Sequence, residues 1–121
     1  MSNAAAPDQE TMIDAGPLDR LPPGEQLVVP VRFGLSLLVC HDDESDRIWA
    51  LENSCPHAFQ PMTDGPVENG TIQCPKHGAC FDLTTGASLN SITPHPIKLH
   101  RVEIRDGRIL IAAQPNPLPG A

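Results

Sequence analysis

The sequence predicts an all-β fold, and three observations carry the prediction. Fourteen prolines and nine glycines in 121 residues leave no stretch able to sustain a long helical period. The apolar residues come instead in short runs bounded by turn-formers, as strands do. Asn69-Gly70 and Asp106-Gly107 each stand between two such runs, where a tight hairpin needs residues that accept a left-handed backbone. The reading comes to about eight to ten strands and no helix.

Taken in order, residues 1–12 read as a flexible N-terminal tail, 13–113 as one folded domain and 114–121 as a C-terminal tail. Gln26–Phe33 and Leu35–Cys40 flank Gly34 and pair as neighbours. The acidic turn 41–46 leads to a strand over Arg47–Leu51. Residues 66–68 and 71–73 flank Asn69-Gly70, and the second of these strands runs straight into Cys74. Cys80–Leu83 continues outward to a turn at Thr84-Thr85-Gly86. Ile97–Ile104 and Arg108–Ala112 make the last hairpin, which leaves Arg101, Arg105 and Arg108 on exposed faces. Aromatic residues are few (Phe33, Trp49, Phe59, Phe81), so the core is lean and aliphatic. A metal that ties two loops together would supply stability such a core lacks.

The chemistry lies in Cys55-Pro56-His57 and Cys74-Pro75-Lys76-His77. Two thiolates and two imidazoles in paired short boxes point to a transition metal. Structural zinc prefers knuckles of one ligand type, Cys-x₂₋₄-Cys or His-x₃₋₅-His. Both boxes here are mixed, and the first is tighter than a zinc knuckle. Mixed boxes suit a two-iron cluster, one iron collecting both thiolates and the other both imidazoles. Zinc and a coincidence of composition stay open as alternatives. Cys40 ends the run Leu37–Cys40 and reads as a small buried hydrophobe. Cys80 reads as a neighbour of the site, with a rival assignment in which it replaces a histidine ligand. His41 and His100 read as ordinary surface histidines.

Cys55-Pro56-His57-Ala58 and Cys74-Pro75-Lys76-His77-Gly78-Ala79-Cys80-Phe81-Asp82, followed by Thr85-Gly86 and a proline-rich stretch, resemble the two boxes of the Rieske ferredoxin family. The resemblance implies an antiparallel β-sandwich with a small cluster-binding subdomain, about residues 53–82, formed by two loops. It implies one [2Fe–2S] cluster, with Cys55 and Cys74 on one iron and His57 and His77 on the other. It also makes Ser88–Pro96 a third loop covering the cluster, with His95 near its exposed edge. Family members of high potential carry an extra cysteine in each box, and a serine and a tyrosine after the second. Gln60, Lys76, Ala79 and Phe81 stand at those positions here.

Charge gives the consequence. Two ferric ions and two sulfides sum to +2, so two thiolates and two neutral imidazoles leave the oxidised cluster neutral, against −2 for an all-cysteine cluster. A neutral centre accepts an electron more readily, and its reduction favours imidazole protonation. With neither hydroxyl present to donate to sulfur, the expected potential falls at the low end of the Rieske range, about −150 mV.

The resemblance then implies a soluble electron carrier and no enzyme: a ferredoxin component passing electrons from a flavin-dependent reductase to a ring-hydroxylating or related oxygenase. A small subunit of a nitrite reductase-like enzyme and a zinc-bound or cluster-bound structural module are the other readings. No Gly-x-Gly-x-x-Gly, Walker loop or mononuclear-iron domain accompanies the boxes. A net charge of −7 argues against nucleic acid and for steering toward basic partner surfaces, the run Asp42-Asp43-Glu44-Ser45-Asp46 being a solvated turn. No apolar run reaches the eighteen or so residues of a membrane span, and the opening residues lack the basic and hydrophobic regions of a secretory signal. The expected location is a bacterial-type cytoplasm.

Overall fold

A computed structural model describes residues 11–118; residues 1–10 and 119–121, which belong to the two expected tails, lie outside it. The strands are β1 (Met12–Pro17), β2 (Gln26–Arg32), β3 (Leu35–His41), β4 (Ile48–Glu52), β5 (Val67–Glu68), β6 (Thr71–Gln73), β7 (Cys80–Asp82), β8 (Leu99–Arg105) and β9 (Arg108–Pro115), with one 3₁₀ turn at Leu18–Arg20. Every pairing between them is antiparallel. The all-β expectation holds, and each expected hairpin forms. Asn69 and Gly70 take φ of 55° and 72°, Asp106 and Gly107 53° and 74°, as two-residue hairpin turns require.

Six strands form one sheet in the order β1-β9-β8-β4-β3-β2, and three form a small sheet, β5-β6-β7. The large sheet folds over on itself. Ile13, Ile109 and Ile111 from one end of the strand order share a core with Val29, Leu37 and Val39 from the other. A second core lies between the large sheet and the small one, built from Leu38, Cys40, Leu51, Met62, Ile72, Phe81, Leu83 and Ile97. Strand β3 serves both, giving Leu37 and Val39 to the first core and Leu38 and Cys40 to the second. That explains its unbroken apolar run, since a strand buried on both faces has no polar side to alternate with.

Strand β1 was not expected. Asp14, Gly16 and Pro17 interrupt its pattern, and it exists because it pairs with β9, from Met12 opposite Ala112 to Pro17 opposite Arg108. A bulge between Asp14 and Gly16, with Gly16 at φ 107°, absorbs the irregularity.

Side-chain amides fasten the 62–65 segment that leads into the small sheet. Gln26 in β2 donates to the Gly65 carbonyl (2.9 Å) and accepts from the Asp64 N–H (2.7 Å). Asn53, just past β4, accepts from the Met62 N–H (2.8 Å) and donates to Thr63 Oγ1 (3.0 Å). Gly65 must be glycine here, because a Cβ would lie 2.3 Å from the Gln73 carbonyl oxygen.

Candidate metal centre

The two boxes fold into the same backbone loop. In the first, the Phe59 N–H donates to the Cys55 carbonyl (2.6 Å) and the Cys55 N–H to the Gln60 carbonyl (2.7 Å). In the second, the Gly78 N–H donates to the Cys74 carbonyl (3.0 Å) and the Cys74 N–H to the Ala79 carbonyl (2.7 Å). The residue four past each cysteine is left-handed, Phe59 at φ 57° and Gly78 at 81°. Pro56 and Pro75 follow the cysteines, where a preset φ helps the chain turn.

The loops sort their side chains by depth. Cys55 and Cys74 are fully buried, whereas His57 and His77 are exposed. The two thiols lie within hydrogen-bond reach of each other. The two imidazoles meet edge to face, with ring centroids 4.9 Å apart and planes at 69°. Burial pushes the Cys55 thiol above its ordinary pKa and the neighbouring Cys74 adds to that, while the N–H groups of His57 and Ala58 donate to its sulfur and pull the other way. A buried thiol pair of this kind is easier to ionise beside a cation. Among the described residues, no three or more His, Cys, Asp and Glu side chains close on a point fit for a single metal ion. The donors come as two pairs, sulfur with sulfur below and nitrogen with nitrogen above. That arrangement fits a two-iron group with a different ligand type on each iron.

The third loop lies against the second box. The Leu89 N–H donates to the Cys80 carbonyl (2.8 Å), Ser88 bridges to Phe81, and Asn90 Nδ2 donates to the Gly78 carbonyl (2.9 Å). His95 is exposed, its backbone N–H held by Thr93 Oγ1 (3.2 Å). Cys80 is half-buried in β7 opposite Gln73, and Cys40 lies in the core, where burial pushes its thiol to about 12.

Two histidine expectations fail. His41 is only 9% exposed and His100 6%. His41 lies between two acceptors, the Leu21 carbonyl at Nδ1 and the Asp46 carboxylate at Nε2, each at 2.6 Å. His100 Nδ1 bonds the Ala112 carbonyl (2.8 Å). Both are structural residues whose carbonyl partners lie far along the chain, which local pattern does not reveal. The acidic turn is likewise only partly solvated: Asp42 is buried, accepting from the Glu44 N–H (3.1 Å) and Ser45 Oγ (2.8 Å). The expected exposed arginines are in place, with Arg105 bonded to Glu103 (2.5 Å) and Arg108 to Asp14 (2.8 Å).

Residues 11–103 match the family model described as the Rieske [2Fe–2S] domain. The chain belongs to the Rieske family. The Rieske domain is 33% identical over 102 residues to the ferredoxin component of naphthalene 1,2-dioxygenase/salicylate 5-hydroxylase systems of Ralstonia sp, covering 84% of this chain and 95% of that one. It is 36% identical, with the same coverage, to the ferredoxin component of a naphthalene 1,2-dioxygenase system of Pseudomonas aeruginosa. The ferredoxin of carbazole 1,9a-dioxygenase from Nocardioides aromaticivorans IC177 superposes with a TM-score of 0.76 at 29% identity, over 86% of this chain and 99% of that one. The described Rieske domain has no helix long and apolar enough to cross a membrane.

Proposed function

We propose that this Rieske domain is an electron-transfer ferredoxin of low potential. In this reading Cys55 and Cys74 hold one iron and His57 and His77 the other, within a cluster-binding part of about residues 53–82. The observation that carries it is the buried thiol pair beneath an exposed imidazole pair. When bound, the cluster supplies a one-electron couple with its histidine side outward. The chain's own residues do the rest. The second core excludes water from the thiols, and the N–H groups of His57 and Ala58 donate to the Cys55 sulfur, stabilising its negative charge. Ala79 and Phe81 are buried without a hydroxyl to add to that stabilisation, which keeps the expected potential low.

The partners that fit are an oxygenase component, as the relatives belong to dioxygenase systems, and a flavin-dependent reductase as the electron source. This reading places the protein in the cytoplasm alongside that reductase. Reduced-state EPR and a midpoint potential on the purified protein test it. The expected result is a red-brown protein with a rhombic signal of low average g and a potential near about −150 mV. A colourless, zinc-bearing protein overturns the cluster. A potential above zero overturns the low-potential assignment.

A further inference from the structure

We infer that Asn90 is a positioning residue for the second box: its side-chain amide holds the Gly78 peptide and thereby the seat of His77. The second box closes through the N–H groups of Gly78 and Cys74, and the Gly78 carbonyl takes no part in that closure. Its partner is Asn90 Nδ2 at 2.9 Å. A peptide plane is rigid, so holding the Gly78 carbonyl also fixes the direction of the Ala79 N–H on its other side.

The twin loop shows why this box needs a hold from outside. At the equivalent place the first box has Phe59, whose Cβ confines the backbone to a narrow left-handed well. Gly78 has no such confinement and samples many conformations at little cost. Box 2 is thus the looser loop by composition, and it is the one that receives a side-chain latch.

The latch is itself braced. Asn90 Oδ1 accepts from the Ile92 N–H (3.3 Å), so the two ends of the amide have different partners and its orientation is defined. The single Ser88 hydroxyl proton lies within reach of two carbonyls of this loop, Thr93 (2.5 Å) and Asn90 (3.0 Å). The Leu89 N–H ties the same segment to the Cys80 carbonyl (2.8 Å). Asparagine is required rather than aspartate, because the Gly78 oxygen needs a donor.

The consequence for iron rests on the cluster reading above; the latch itself does not. Asn90→Asp is the discriminating variant, keeping the acceptor for Ile92 while removing the donor for Gly78, and Asn90→Ala accompanies it. Hydrogen exchange by mass spectrometry, on iron-free and iron-loaded protein, compares peptide 72–80 with peptide 54–62. The expected result in both forms is exchange about fivefold faster in 72–80, the factor one hydrogen bond carries, with 54–62 within twofold of wild type. Release of iron to a chelator, followed by bleaching of the visible bands, accelerates by about the same factor. Exchange in 72–80 within twofold of wild type, or an equal rise in both peptides, overturns the proposal. Wild-type protein that takes up no iron counts against the proposed function alone, because the iron-free exchange still tests the latch.

Discussion

The two boxes share one backbone loop and differ in almost everything attached to it. Each closes with the same pair of hydrogen bonds around a left-handed fourth residue. The first puts its histidine two places after the cysteine and fills the left-handed position with Phe59; the second puts it three places after and uses Gly78. Beside the first, Asn53 just before the box holds Met62 and Thr63 just after it, and the second is tied to the third loop by Asn90. The loop shape therefore comes from backbone hydrogen bonding, and the residue types decide how stiff each copy is and what holds it. Phe59 is 80% exposed, so its ring gains little by burial. A side chain in a left-handed backbone costs about 1–2 kcal/mol relative to glycine. The first box carries strain that the second avoids.

Removing either sulfur has the largest expected effect, because neither box can hold the group alone. Cys55→Ser and Cys74→Ser each lose the visible absorption and the bound iron, as measured by absorbance and metal analysis. If one of them retained the full cluster spectrum, the equal partnership of the boxes would fail. Next comes Asn53→Ala, which leaves the Met62 N–H without its partner and lowers stability by about 1–3 kcal/mol in urea unfolding. Its faster hydrogen exchange concentrates in peptide 54–62, the opposite of the Asn90 variants.

A smaller pair of changes tests the strain directly. Phe59→Gly raises stability by about 1 kcal/mol, and Gly78→Ala lowers it by a similar amount. The alanine Cβ would meet only the end of the Gln73 side chain, at 3.3 Å, so the backbone term dominates. Changes of the same sign at the two positions would show that the loops are not equivalent.

The smallest effect is pH-dependent and reaches the second box by way of the acidic turn. Burial lowers the His41 pKa, but the Leu21 carbonyl and the Asp46 carboxylate outweigh it, with Asp42 adding to them, and the net shift is upward. A raised pKa means that the charged form is favoured by folding. Its contribution is complete below the unfolded value of 6.5 and is lost as the pH climbs through the folded value. The turn it holds carries Glu44, which accepts from the Asn69 N–H (3.1 Å) in the hairpin that feeds Cys74. Urea midpoints should fall from pH 6 to pH 9, and His41→Gln should remove that slope. An unchanged slope in the variant would assign the pH dependence elsewhere.

Much of the site was legible because its signals are local. Cys-Pro-His and Cys-Pro-Lys-His carry their ligand chemistry in adjacent residues. Asn69-Gly70 and Asp106-Gly107 declare hairpins through their own φ preferences. Strand β1 was not legible, since Gly16 and Pro17 disguise it and its partner lies at the other end of the chain. His41 and His100 looked like surface residues because nothing beside them in sequence names the carbonyls they bond. Asn53 and Asn90 are single asparagines in loops, indistinguishable by type from ordinary turn residues.

By itself the sequence determined the all-β class, the hairpins, the two Cys/His boxes and the absence of hydroxyls at positions 79 and 81. These follow from side-chain chemistry and from backbone preferences acting over a few residues. Only the tertiary structure decided that the thiols are buried and the imidazoles exposed, that the two boxes are copies of one loop, and that Asn53 and Asn90 hold the chain beside them. Those features depend on contacts closed across 9 residues for Asn53, 12 for Asn90, 20 for His41 and 39 for Gln26. Such contacts form only once the sheets have packed, and no local propensity encodes them.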